Sequence, residues 1–212
     1  MAEVIDALTA EVLPDQSYPF AAEEAIPIEQ RTDVTVDELE RMSLPCTAEL
    51  YDGRIVLKEA NMAHGMIQAH LAATLSWYLD ENPIGYALIS PNFRLWPDRP
   101  KESRAPDIAL VKKERIKPED WHRFPAIAPD LAVEIISPDD KFEAMMEKVD
   151  EYIESGVPIV WLVFSTKREI LVCTASSTYH RVRDVLAAPD LLPGFELPVS
   201  RIFEGIPPHE NS

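Results

Sequence analysis

The sequence predicts a mixed α/β domain. Three observations carry that prediction. Two segments, 62–80 and 141–154, repeat apolar residues at helical spacing. Several short apolar segments of strand length lie between and after them. A two-residue turn signal, Asp52-Gly53, joins two such segments near the start. Strand–helix alternation in the middle, with hairpins toward both ends, is the pattern of a mixed α/β fold.

Residues 1–31 are rich in Ala, Glu and Pro, with Tyr18 and Phe20 as the only aromatics, and read as an extended or partly disordered arm. A single domain is expected over 32–205, with a tail at 206–212. Thr35 and Glu38 form a capping box that starts a short helix ending before Pro45. Residues 48–51 and 54–58 then pair across Asp52-Gly53. In the first long helix, His64, Ile67, Leu71, Leu75 and Tyr78 form one stripe, with His64 in the first turn. Residues 86–96 read as a strand bent at Pro91, and 107–111 as a second strand. Residues 131–136 are almost wholly apolar, as in a strand covered on both faces. The second helix carries Phe142, Met145, Val149, Tyr152 and Ile153 on its stripe and ends at Gly156, where a C-terminal glycine belongs. Further strands are expected at 157–164, 169–174 and 179–185.

The chain has 212 residues, 46% of them apolar and 27% charged, which suits a globular core. No stretch reaches the roughly 18 uncharged apolar residues of a membrane helix. The acidic start, Met1-Ala-Glu-Val-Ile-Asp6, lacks the basic onset of a signal peptide. Cys46 and Cys173 are far apart, without zinc-ligand spacing, so a reducing cytoplasmic setting is expected. The net charge of −17 opposes non-specific nucleic-acid binding. It is unevenly spread. Residues 1–50 carry −10, whereas 94–123 carry +3. Taken alone, that basic strip reads as ordinary solvated loops.

Glu134 is the most informative residue. Strand alternation puts it on one face with Ala132 and Ile136, where a carboxylate is costly unless paired, protonated or metal-bound. Asp107 opens an earlier strand. If the two strands are neighbours, the carboxylates converge, and hard oxygen ligands suit Mg2+ or Mn2+. Lys148, one turn before Tyr152, can reach toward Glu134 and stabilise a transition state. Its bland alternative is a surface lysine lying along Tyr152. His64 reads as an imidazole at the core edge, able to hydrogen-bond the site. His70, His122, His180 and His209 have no ligand spacing, and no Gly-rich phosphate loop, GxSxG or HExxH is present.

Asp107-Ile-Ala-Leu-Val, followed by Leu131-Ala-Val-Glu-Ile-Ile-Ser-Pro138, resembles the Uma-two family, a bacterial group of restriction-endonuclease-like proteins in the PD-(D/E)xK nuclease superfamily. The resemblance continues through Glu147-Lys148-Val149, Tyr152, Gly156-Val157-Pro158 and Trp161, and closes with Leu192-Pro193-Gly194-Phe195. Upstream, Tyr51-Asp52-Gly53 and Ala63-His64-Gly65 also fit, so it spans about residues 33–203. The resemblance implies a central mixed β-sheet flanked by helices, restriction-endonuclease-like, and a metal-dependent phosphodiesterase site. It assigns Asp107, Glu134 and the backbone carbonyl of Ile135 as metal ligands, and a lysine as the activating group. The superfamily lysine two residues after the Glu is replaced by Ile136, so Lys148 takes that part. Ala144 and Phe164 stand where the family often has Asp.

The expected function is therefore a Mg2+- or Mn2+-dependent DNA endonuclease, with Asp107, Glu134, Lys148 and His64 at its site and the basic strip at 94–123 as its weak DNA contact. A homodimer is expected if both strands of a duplex are cut. The alternative expectation is a catalytically weak or inactive nuclease fold that acts as a binding module through its acidic arm.

Overall fold

A computed structural model describes residues 28–176 and 178–208. Most of the expected arm (residues 1–27) and residues 209–212 of the tail lie outside the described residues. Thr35 caps α1 (Val36–Leu39), its hydroxyl accepting from the Glu38 N–H at 3.3 Å. The Glu38 carboxylate does not close the capping box, because it pairs instead with Arg31 at 2.5 Å. β1 (Ala48–Tyr51) and β2 (Arg54–Leu57) form the hairpin read from Asp52-Gly53, with φ of +45° and +77° at the two turn residues. A Cβ on Gly53 would sit 2.4 Å from the Thr32 carbonyl oxygen. Gly53→Ala is therefore expected to cost more than about 1 kcal/mol through strain and collision, read as a lower urea midpoint at unchanged slope.

α2 (Met62–Glu81) follows, with the Asn61 side chain capping the His64 N–H at 2.9 Å. Next come β3 (Gly85–Ile89), β4 (Ile108–Lys112) and β5 (Leu131–Ile136). α3 (Phe142–Glu154) connects β5 to β6 (Ile159–Phe164), and β7 (Glu169–Thr174) and β8 (Tyr179–Val182) complete the sheet. A separate hairpin, β9 (Val185–Ala188) and β10 (Leu192–Pro198), precedes α4 (Val199–Ile202). The six-stranded sheet runs β3-β4-β5-β6-β7-β8. Among the described residues its only parallel neighbours are β5 and β6, and α3 is the crossover that such a pair needs.

Four expectations change. The strand expected over 86–96 stops at Ile89, because Ser90 takes a φ of +48° and Pro91 has no N–H to continue the ladder. The chain rejoins only through a bridge between Phe93 and Arg104. Phe142 leaves the buried stripe of α3 and is 58% exposed, since it is the first residue of the helix. The segment 179–185 divides between two sheets. β10, read in the sequence only as a closing motif, is a full strand.

Strand alternation gives the sheet two different faces. Leu131, Val133 and Ile135 of β5 meet Ile67, Leu71 and Leu75 of α2, together with Trp161, Val163 and the β9–β10 hairpin. Ala132 and Ile136 face the other way, with Val149 and Tyr152 of α3, Val160 and Leu162. Glu134 shares that second face, inside an otherwise apolar layer. β4 pairs antiparallel with β5, Ile108 opposite Val133, so Asp107 stands one step beyond, opposite Glu134. The register thus brings together two carboxylates that are far apart in the sequence.

Candidate active site

Asp107 and Glu134 are both buried, and they meet at one point. Lys58, just past β2, places its Nζ 2.8 Å from Asp107 Oδ1 and 3.1 Å from Glu134 Oε2. The same ammonium donates to the Ala105 carbonyl at 2.7 Å. The other oxygen of Glu134, Oε1, accepts from the Tyr152 hydroxyl at 2.7 Å and lies 2.9 Å from Lys148 Nζ. Lys148 is therefore no surface lysine. It lies buried between Glu134 and Glu49, 2.9 Å from Glu49 Oε1 and 3.0 Å from Oε2. The helical spacing that puts Lys148 and Tyr152 on one face of α3 aims both at β5.

Glu49 is held from the other side by the Ala105 N–H at 2.8 Å and the Tyr51 hydroxyl at 2.9 Å. His64 reaches the site from the first turn of α2, its Nε2 3.4 Å from Asp107 Oδ1. The Ile135 N–H donates to Asp107 Oδ2 at 2.7 Å. N–H and C=O of one strand residue address the same neighbour, so the Ile135 carbonyl shares that edge. These groups open on a cleft of about 580 Å3 lined by Glu49, Lys58, Asp107, Glu134 and Lys148. All four side chains expected at the site, Asp107, Glu134, Lys148 and His64, are thus brought together.

A model of the family described as "Putative restriction endonuclease", Uma2, matches residues 36–200. The chain belongs to the Uma2 family. Among solved structures it is similar to one from Anabaena variabilis described as "a putative nuclease belonging to DUF820". The two share 21% identity over 80% of this chain and 97% of that one, at a TM-score of 0.65. At that identity the likeness concerns the fold. No curated protein matches the chain.

Two members of this Uma2 site were not read from the sequence. Glu49 carried a usable signal, a carboxylate in an apolar strand segment between Ala48 and Leu50, which is the argument applied to Glu134. Lys58 carried none, because only tertiary folding joins it to residues 49 and 76 positions away. The basic strip at 94–123 also reads differently in three dimensions. Arg94 binds Asp37 and Glu40, Arg115 binds Asp130, and buried Arg104 binds Glu102 and Glu151. Three of its nine bases are thus paired with carboxylates, and the strip is not a continuous free cationic surface.

The charges of the cluster sustain one another. Burial pushes the Asp107 carboxyl up, but the His64 contact and the Lys58 ammonium outweigh it and hold Asp107 well below the usual carboxylate range. Burial likewise opposes ionisation of Glu49, and the Lys148 and Lys58 charges reverse that effect and lower it. Burial pulls Lys148 down, but Glu134 and Glu49 raise it above its ordinary value. Burial and the nearby Glu134 charge both raise the Tyr152 phenol, keeping it a donor.

A carboxyl depressed on folding contributes stability above its unfolded pKa and loses it as pH falls toward the folded value. An ammonium raised on folding contributes below its unfolded pKa and loses that as pH rises. Stability is therefore expected to be flat from about pH 5 to about pH 9 and to fall below about pH 4, where Asp107 and Glu49 take up protons on unfolding. Urea midpoints at pH 7 and pH 3 check this. A midpoint that does not fall at pH 3 would contradict it.

Among the described residues, no three His, Cys, Asp or Glu side chains converge on one point. The donors that do converge are two carboxylate oxygens, with a backbone carbonyl on the same edge. Such a hard, sparse oxygen set fits Mg2+ or Mn2+, which retain several waters, better than it fits a closed protein cage.

Proposed function

We propose that this Uma2 protein is a Mg2+- or Mn2+-dependent DNA endonuclease of the PD-(D/E)xK type. One observation carries the reading: Asp107 Oδ1 and Glu134 Oε2, opposed across β4 and β5, both lie within about 3 Å of a single cationic nitrogen. Asp107, Glu134 and the Ile135 carbonyl would hold the metal. A bound divalent ion supplies Lewis acidity toward a phosphate oxygen and a hydroxide-like nucleophile at neutral pH.

The chain's own residues do the rest. Lys148, fixed by two carboxylates and kept charged, provides positive potential where phosphate charge develops. Tyr152 orients Glu134 by donating to Oε1, which leaves Oε2 turned toward Asp107. The Ile135 N–H does the same for Asp107 by holding Oδ2. His64, at the edge of the cleft, is placed to hydrogen-bond a substrate oxygen or water. With a net charge of −17 and a strip partly engaged, duplex affinity is expected to be modest and to fall with salt. The test is nicking of plasmid DNA with Mg2+ or Mn2+, wild type against Glu134→Gln. Cleavage by wild type alone supports the reading, and equal cleavage by both, or none by either, opposes it.

A second reading, a nuclease fold that binds without cutting, is favoured by one feature. Lys58 and Lys148 are ion-paired with Asp107, Glu134 and Glu49, and so offset two of the three carboxylate charges.

A further inference from the structure

We propose that Lys58 is a tethered counter-ion that occupies the divalent-cation position and must withdraw before metal binds, so that Lys58 sets the metal affinity of the site. This rests on the nuclease reading above. Its Nζ lies 2.8 Å from Asp107 Oδ1 and 3.1 Å from Glu134 Oε2. An ion coordinated by those oxygens at about 2.1 Å would share that space, so ammonium and metal exclude each other.

The two lysines of the cluster differ in their freedom to move. Lys148 projects from the middle of α3 and is boxed between Glu134, Glu49 and Tyr152. Lys58 stands at the end of a two-stranded hairpin, and the next residues, Glu59 and Ala60, are exposed. Its side chain is 19% exposed, against 10% for Lys148. It also lines a second cleft, of about 610 Å3, that opens toward Cys46, Glu59 and Gln68. The ammonium can therefore swing out while its backbone N–H keeps its bond to the Thr47 carbonyl at 2.8 Å.

Formal charge favours the exchange. Glu49, Asp107 and Glu134 against Lys58 and Lys148 leave one negative charge in a buried cluster. A divalent ion in place of the Lys58 ammonium leaves none. The exchange lowers apparent affinity, because metal must select the fraction of molecules whose lysine is out.

The experiment is Mn2+ binding to the full chain by calorimetry, comparing wild type, Lys58→Met, Lys58→Arg and Glu134→Gln. Lys58→Met is expected to bind Mn2+ about tenfold more tightly than wild type, as for a competent state populated at about a tenth. Lys58→Arg, which keeps the cation, is expected to show no such gain. Lys58→Met binding no tighter than wild type, while Glu134→Gln abolishes binding, overturns the Lys58 proposal and leaves the metal reading standing. Binding in none of the proteins, or binding untouched by Glu134→Gln, overturns both. Lysine acetylation read by mass spectrometry needs no variant. In wild type, Mn2+ is expected to raise modification of Lys58 severalfold relative to Lys148, and an unchanged ratio overturns the exchange.

Discussion

Replacing Lys148 with alanine is expected to lower the unfolding free energy by about 3–5 kcal/mol, the cost of removing one partner from a buried ionic cluster. Lys148 lies within 3.0 Å of both Glu49 and Glu134, and all three are buried. Without it, two carboxylates face each other across a space that water fills poorly. Desolvation and like-charge repulsion then both oppose ionisation. A double variant, Lys148→Met with Glu49→Gln, removes a matched pair of charges and is expected to recover part of the loss, because neutralising both partners avoids an unpaired buried ion. Urea denaturation of wild type, single and double variants measures this. A loss below about 1 kcal/mol for Lys148→Ala would assign the lysine the weak role of a surface ion pair.

Glu134→Gln is expected to reduce metal-dependent DNA cleavage by about a thousandfold or more, the several kcal/mol of transition-state charge stabilisation that a bound divalent ion supplies. The amide keeps the shape of the side chain and an oxygen for the Tyr152 hydroxyl, which now donates at 2.7 Å. Far-ultraviolet circular dichroism is therefore expected to stay unchanged, and lost cleavage reports the site, not unfolding. Excess Mn2+ is not expected to restore the rate, because the variant lacks one of the two carboxylates proposed to hold the ion. Restoration by high Mn2+ would mean that Glu134 tunes affinity and leaves the chemistry to others.

The sequence made one half of this site legible and hid the other. Glu134 could be read because strand alternation in residues 131–136 forces its side chain into an apolar layer, where a carboxylate needs a reason. Asp107 and Lys148 followed once two strands and a helix were placed, and the antiparallel register of β4 on β5 brings the acids opposite each other. Lys58 and Glu49 enter from the β1–β2 hairpin, whose turn was readable but whose docking was not. That docking depends on contacts such as the Leu50–Ser103 bridge, which no local pattern encodes. The strand breaks at Ser90 and near Arg183 were hidden for a related reason. Apolar residues resume beyond each break, at Phe93 and Val185, while positive φ at Ser90 and a change of sheet before Val185 end the ladders. The basic strip misled because charge counting takes no account of partners, and Arg104 is 2% exposed with two carboxylates against it.

A crystal structure of the protein soaked in Mn2+ shows whether metal takes the place of the Lys58 ammonium. One anomalous peak is expected about 2.1 Å from Asp107 Oδ1 and Glu134 Oε2, with the Lys58 ammonium gone from between them and Lys148 unmoved. Lys58 still bridging the two carboxylates at saturating Mn2+, with no peak between them, would contradict it.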